Sequence, residues 1–242
     1  MLALAFETAA RPGAVAAAAA AGDDRRVLTR RLDPDAGHAR DLLPAARDLL
    51  ARLGGTAAEV TDVVVDLGPG SYTGLRVGVA TALGLAVGPA PPRLVGVPAP
   101  EALLAAALAP GEAGTWLVDG RSKAWYLARG VRAGDAAPTP ADPGAGLTLE
   151  RGPEVLAEED LPGVLAGLAQ DEQLLTDAAS AERLVSILAE AGTTDRVPDT
   201  APVDPAVLLA LGLVRLAANG PTPPGELEPL YLRPFAAKVR RR

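Results

Sequence analysis

The densest chemical signal in the chain is Gly68-Pro-Gly-Ser-Tyr-Thr-Gly74, which follows the β-branched run Val63-Val64-Val65 and precedes a stretch of helix formers. Strand, glycine turn and helix form a generic anion-binding layout. The turn exposes backbone N–H groups, and the helix N-terminus carries partial positive charge. The familiar phosphate signatures do not fit. Gly68-x-Gly70-x-x-x-Gly74 has one residue too many for the dinucleotide fingerprint, and no Lys follows Gly74 as in a Walker A loop. A purely structural turn is the plainer alternative. The opening apolar segment, Leu2–Phe6, likewise runs into Glu7-Thr8-Ala9-Ala10, a carboxylate and a hydroxyl at the mouth of a second turn.

Composition narrows the chemistry further. The 242 residues contain no Cys and a single His. That excludes thiolate metal sites, Cys nucleophiles, disulfides and any helical His-x-x-x-His metal pair. His38 itself is expected to be a solvated or capping imidazole near a helix start. A net charge of −7 and a pI near 4.8 argue against a broad cationic surface for nucleic acid. The basic stretch Lys238-Val-Arg-Arg-Arg242 reads as a solvated tail. Leu2–Phe6 has no basic flank and meets Glu7 at once, so no signal peptide is expected. The longest weakly polar run, Val77 to Ala90, falls short of the about 20 residues that span a bilayer. A cytoplasmic chain without membrane contact is the expectation.

The elements that must position these residues follow from periodicity. Leu2–Phe6, Ala14–Ala21 and Arg25–Leu32 read as three strands; Ala14–Ala21 could be helix on propensity alone, but its eight residues between Pro12-Gly13 and Gly22-Asp23-Asp24 fit a hairpin strand at least as well. His38–Leu53 is a helix with Leu42, Ala46, Leu49 and Leu53 on one face, started or kinked by Pro44 and ended by Gly54-Gly55. Asp62–Leu67 is a buried strand, and the glycine turn leads into a helix reaching about Gly88. Leu94–Val97 is a strand and Glu101–Ala109 a helix. Thr115–Asp119 and Ala124–Arg129 form a hairpin through Asp119-Gly120, with Trp125 and Tyr126 on opposite faces. Gly134–Gly146 is irregular. Leu161–Ala169, Ala178–Ala191 and Pro205–Asn219 are helical, with a strand at Gln173–Thr176, so the class is α/β.

Within the helix after the glycine turn, Gly74, Gly78, Ala82 and Ala86 recur every four residues and form one ridge. Each interior Gly costs about 1 kcal/mol relative to Ala, which implies another backbone close by. That backbone belongs either to the chain's own sheet or to a second polypeptide.

Taken together, Glu7-Thr8-Ala9, His38…Leu42-Leu43-Pro44, Gly68-Pro-Gly-Ser-Tyr-Thr-Gly-Leu-Arg-Val-Gly78, Val118-Asp-Gly-Arg121…Trp125-Tyr126 and Pro229-Leu-Tyr-Leu-Arg233 resemble the bacterial TsaB (YeaZ) family of tRNA threonylcarbamoyladenosine biosynthesis proteins, within the wider TsaD/Kae1-like group. The resemblance runs from end to end and is most specific over Gly68–Gly78. It implies the actin/hexokinase/Hsp70-like (ASKHA) α/β fold of two βββαβα-type subdomains, placed here at residues 1–100 and 101–242, with the last helix packing back on the first.

It also implies a protein with no catalytic residues, no metal and no cofactor of its own, a nucleotide residing only at the partner or at the seam with it. Such a protein binds and activates a TsaD-like catalytic paralogue that modifies N6 of adenosine 37 in tRNA. A TsaE-like ATPase docks on that pair, the protein forms a homodimer when alone, and tRNA is met only indirectly. On that reading the partner interface comprises Leu42, Leu49, Leu75, Gly74, Gly78, Ala82 and Ala86, with Leu43 and Leu50 as alternative outward leucines. Glu7, Thr8, Gly68, Gly70 and Ser71 are then a vestigial nucleotide site. An ATP-dependent small-molecule kinase or ATPase of the same superfold is the alternative, and it needs a carboxylate presented by the first turn.

Overall fold

A computed structural model describes residues 1–21, 24–35, 37–190, 192 and 197–233. The basic tail at Lys238–Arg242 lies outside the described residues. Two five-stranded mixed sheets organise the chain. The first uses β1 (Leu2–Glu7), β2 (Ala14–Ala21), β3 (Asp24–Arg31), β4 (Asp62–Asp66) and β5 (Arg93–Val97), in the order β3-β2-β1-β4-β5. The second uses β6 (Ala113–Asp119), β7 (Ala124–Arg132), β8 (Leu147–Ala157), β9 (Gln173–Thr176) and β10 (Asp199–Thr200). Its order, β10-β9-β6-β7-β8, is the first sheet's topology read from the other edge.

In each half an antiparallel three-strand meander is followed by parallel strands that need helical crossovers. The first half uses α1 (His38–Arg52) and α2 (Tyr72–Leu85), and the second uses α4 (Leu161–Ala166) and α5 (Ala181–Glu190). This is the ASKHA-like α/β architecture.

Three apolar clusters hold the layers together. Leu4, Phe6, Val63 and Val65 point from the first sheet toward Leu42, Leu49, Val79 and Ala82 of α1 and α2. The opposite face of that sheet, carrying Ala5, Ala16 and Val64, packs against α6 (Pro205–Asn219) and, through α3 (Ala99–Ala107), against Trp116, Val118 and Leu175 of the second sheet. Leu117, Trp125 and Leu127 cover the far side under α4 and α5. Gly212 lets α6 lie on the first sheet, because a Cβ there would stand 2.4 Å from Val64 Cγ1. The C-terminal helix thus belongs physically to the N-terminal sheet.

Ala14–Ala21 is the strand expected, paired between β1 and β3, where cross-strand pairing outweighs helical propensity. Other local expectations are revised. Pro44 neither starts nor breaks α1, which begins six residues earlier and continues to Arg52. An eleven-residue strand, β8, follows the irregular segment, where the sequence reading placed no element. Gly152 has φ +77°, and a Cβ there would lie 2.2 Å from Leu127 O, so only Gly lets this edge strand pass the register shift opposite Leu127–Gly130. His38 is buried rather than solvated, because its ring fills the space beside the Cβ-less Gly13.

Candidate functional site

The two chemically suggestive turns meet. Ser71 N–H donates to Ala9 O at 2.8 Å, and Gly70 packs on Ala9, where a Cβ would stand 2.6 Å from Ala9 Cβ. Ser71 is the N-cap of α2, its hydroxyl accepting from Gly74 N–H at 3.2 Å. On the other side of the first turn, His38 Nε2 lies 2.9 Å from Ala10 O. A carbonyl only accepts, so Nε2 carries the proton. The turn after β1 therefore seats the first residues of both α1 and α2.

Beneath the turn lie two carboxyl groups. Glu7 Oε1 accepts from Ala10 N–H at 2.9 Å, and Asp66 Oδ1 accepts from Gly68 N–H at 2.7 Å. Both side chains are completely buried, and Glu7 Oε2, Asp66 Oδ2 and Thr8 Oγ1 have no hydrogen-bond partner. Burial raises the Glu7 carboxyl to about 7, against the opposing pull of the Ala10 amide, the Arg31 charge and the Ala9 amide. Asp66 is raised well above the usual carboxylate range by burial and then by Glu7.

The residues expected at an interface between chains are corrected here. Gly74 and Gly78 do form a trough, but Thr8 of the same chain fills it. A Cβ at Gly74 would stand 2.0 Å from Thr8 O, and one at Gly78 would stand 2.4 Å from Thr8 Oγ1. Leu42, Leu49, Leu75 and Ala82 are buried in the cluster under α1 and α2 or beside it, and Ala86 is half-buried against that cluster. Of the two alternative leucines, Leu50 is buried and Leu43 is 46% exposed. The physical reason is that a helix lying flush on a turn must present its smallest residues inward, whatever docks outside.

What α2 offers outward is a different stripe. Tyr72, Thr73, Arg76, Val77 and Ala80 line a shallow open groove of about 330 Å³. Its upper end is ordered by rings: Tyr231 lies 5.5 Å from Tyr72, and the Arg76 guanidinium lies 5.4 Å from the Tyr72 centroid and donates to its hydroxyl at 3.0 Å. α1 packs beside α2 and carries the exposed Leu43. Sequence reasoning named Tyr72 only as part of a motif. The missed signal was the polar and aromatic offset, Tyr72, Arg76 and Ala80, at the same four-residue period as the glycines.

The hairpin at Asp119-Gly120 is structural. Arg183 ion-pairs with Asp119 at 2.6 Å and with Glu158, while lying over the Trp125 ring. Arg121, Ser122 and Lys123 all have positive φ, and Arg233 Nη1 donates to Gly120 O and Arg121 O, which holds the turn.

With this geometry in hand, comparison with known proteins gives a consistent picture. The family model for TsaD, the tRNA N6-adenosine threonylcarbamoyltransferase, matches residues 34–146. A 51-residue stretch is 37% identical to the tRNA threonylcarbamoyladenosine biosynthesis protein TsaB of Escherichia coli (strain K12), covering 21% of this chain and 22% of that protein. The fold superposes on YeaZ from Pseudomonas aeruginosa with a TM-score of 0.69 at 19% identity, covering 95% of this chain and 100% of the other. In fold, and over a short stretch of sequence, this chain is similar to YeaZ and TsaB.

A structure described as an uncharacterized protein with similarity to peptidase YeaZ from Pseudomonas aeruginosa agrees, with a TM-score of 0.70 at 20% identity over 96% of this chain and 99% of that one. An uncharacterized protein of Mycobacterium leprae (strain TN) is 38% identical over 168 residues, or 66% of this chain and 45% of that protein. The matched region thus spans less than half the length of either curated relative. Among the described residues no cluster of three His, Asp or Glu side chains could hold a metal, and no helix is long and apolar enough to cross a membrane.

Proposed function

We propose that this YeaZ/TsaB-like chain acts in tRNA threonylcarbamoyladenosine biosynthesis as a non-catalytic subunit that docks a TsaD-like paralogue through the outward faces of α1 and α2. The observation that carries the reading is the groove along Tyr72, Thr73, Arg76, Val77 and Ala80, an open apolar surface on the helix that follows the most family-specific motif. Tyr and Arg at its upper end are the residue types that anchor protein interfaces. The kinase or ATPase reading has less support. It needs a carboxylate that a nucleotide can reach, whereas Glu7 and Asp66 are sealed beneath the turn. A nucleotide at the seam, a TsaE-like ATPase and a homodimer remain part of the proposal through the family resemblance.

The test uses Ala80→Arg and Leu43→Asp, both at exposed positions. Each variant is mixed with a purified TsaD-like protein of the same host and analysed by size-exclusion chromatography with light scattering. The expected result is loss of the complex with an unchanged melting temperature. A wild-type chain that fails to bind, or variants that bind as wild type does, would overturn the reading. Gly78→Leu is unsuitable for this purpose, because it would collide with Thr8 inside the monomer.

A further inference from the structure

Glu7 ends β1 and Asp66 ends β4, each one position beyond the parallel pair Phe6–Val65. Side chains alternate along a strand, so both carboxyls point to the α6 side of the sheet, on strands about 4.8 Å apart. Neither touches solvent. Each has one oxygen held by a backbone N–H and one without a partner.

Two ionised carboxylates cannot be held so close in a sealed site without a cation in contact. Among the described residues, the elements packed around the pair supply none, and Arg11 in the turn itself is exposed. Arg31 of β3 lies in the same row but one strand further out, beyond Ala14 of β2. The only charged residue of α6, Arg215, is paired with the only one of α3, Glu101. Arg93 of β5 is bound to Asp62 at the far end of the sheet, and Arg76 of α2 lies over Tyr72 on the outer face. On α1, His38 donates to Ala10 O, Asp41 pairs with Arg30, and Arg40, Arg47, Asp48 and Arg52 are exposed.

We propose that Glu7 and Asp66 form a proton-held latch: protonated, they clamp the turn that seats α1 and α2, and losing a proton loosens that seat. The mechanical path is short. Glu7 grips Ala10 N–H, Ala10 O takes the His38 proton at the start of α1, and Ala9 O takes the Ser71 amide at the start of α2. When the pair gains charge, water or a cation must reach it, and the turn bonded to Glu7 is the cover that lifts. The direction of the titration agrees, since burial holds both carboxyls above their usual range, Glu7 at about 7. The consequence for partner binding rests on the docking reading above, since the loosened helices carry that face.

The test follows the isolated full-length chain. Glutamate Cδ resonances are recorded by NMR from pH 4 to 9, melting temperatures are measured over the same range for wild type and Glu7→Gln, and amide exchange in α2 is corrected for intrinsic pH dependence. Expected are one glutamate titrating near pH 7 and a wild-type melting temperature that falls by roughly 5–10 °C between pH 5 and 8. Glu7→Gln should abolish that fall, and protection at Gly74–Val79 should drop with the same midpoint. The inference is overturned if every glutamate titrates in the ordinary range, or if the two melting profiles run parallel. It is also overturned if millimolar Mg²⁺ at fixed pH shifts the resonance and raises the melting temperature, which would make the pair a cation site. None of these readouts involves a partner, so failure of the latch and failure of docking are told apart.

Discussion

Placing alanine at Gly74, Gly78 and Gly84 in turn should separate two forces that act oppositely on one helix. All three glycines lie within α2, where Gly→Ala improves helix propensity by up to about 1 kcal/mol. At Gly84 nothing stands within 4 Å of the added Cβ, so the propensity gain is expected nearly whole. At Gly78 the Cβ meets Thr8 Oγ1 at 2.4 Å, a side-chain atom that can rotate away. At Gly74 it meets Thr8 O at 2.0 Å, a backbone atom fixed by the turn above the buried carboxyls.

Overpacking of this kind costs about 1–3 kcal/mol. Net changes of about +1 for Gly84→Ala, −1 for Gly78→Ala and −2 kcal/mol for Gly74→Ala follow by subtraction from the propensity term. For a chain of this size those values correspond to melting shifts of roughly 2–4 °C per kcal/mol. Urea unfolding followed by circular dichroism, with thermal scans beside it, reads the ordering directly. If Gly74→Ala and Gly84→Ala stabilise alike, the Thr8 turn does not fill the trough, and the assignment of the glycine ridge to internal packing is refuted.

Further expectations are measured the same way. Ser71→Ala removes the N-cap of α2 and should lower stability by about 1 kcal/mol in urea unfolding, whereas Ser71→Asp should retain most of it. Arg132 is 2% exposed and donates to Ala105 O, Pro143 O and Ala145 O. Arg132→Leu strands these carbonyls, so a loss of about 2–4 kcal/mol is expected, with the 133–146 loop exchanging amides first. Glu7 supplies a pH dependence whose sign is fixed. Its folded value, about 7, lies above the ordinary 4.5, so its stability is fully present below pH 4.5 and is lost as pH rises to 7, about 3 kcal/mol in all. Stability rising over that interval would contradict the buried geometry.

Much of the fold was legible because its signals are local. The apolar run Leu2–Phe6, the valine run at Val63–Val65 and the apolar character of Pro205–Asn219 each survive any tertiary arrangement, and the last helix appears at its expected bounds. What the chain concealed is set by contacts distant in sequence. β8 hides behind Gly152-Pro153 because an edge-strand glycine and a turn glycine look the same until Leu127 is opposite. The duplication of the two sheets left no sequence repeat, since each half keeps only its hydrophobic pattern and order of elements. His38 was misplaced for a similar reason: the space it fills is created by Gly13, 25 residues earlier, where no helical or strand period connects them.

The glycine ridge shows where spacing arguments stop. A four-residue period states that one helix face approaches something closely, but it is silent on whether that something is Thr8 or another molecule. The two outcomes are also physically linked. Small residues inward let α2 sink onto the Thr8–Ala10 turn, and a helix held at that depth presents its opposite face, from Tyr72 to Ala80, outward beside α1. Enlarging Gly74 would therefore lift α2 and tilt the outer stripe without changing any residue on it. Docking should then weaken in Gly74→Ala through geometry alone, while Gly84→Ala, more stable than wild type, should dock unchanged. A correlation of affinity with helix seating rather than with global stability is what an internally built, externally used helix requires.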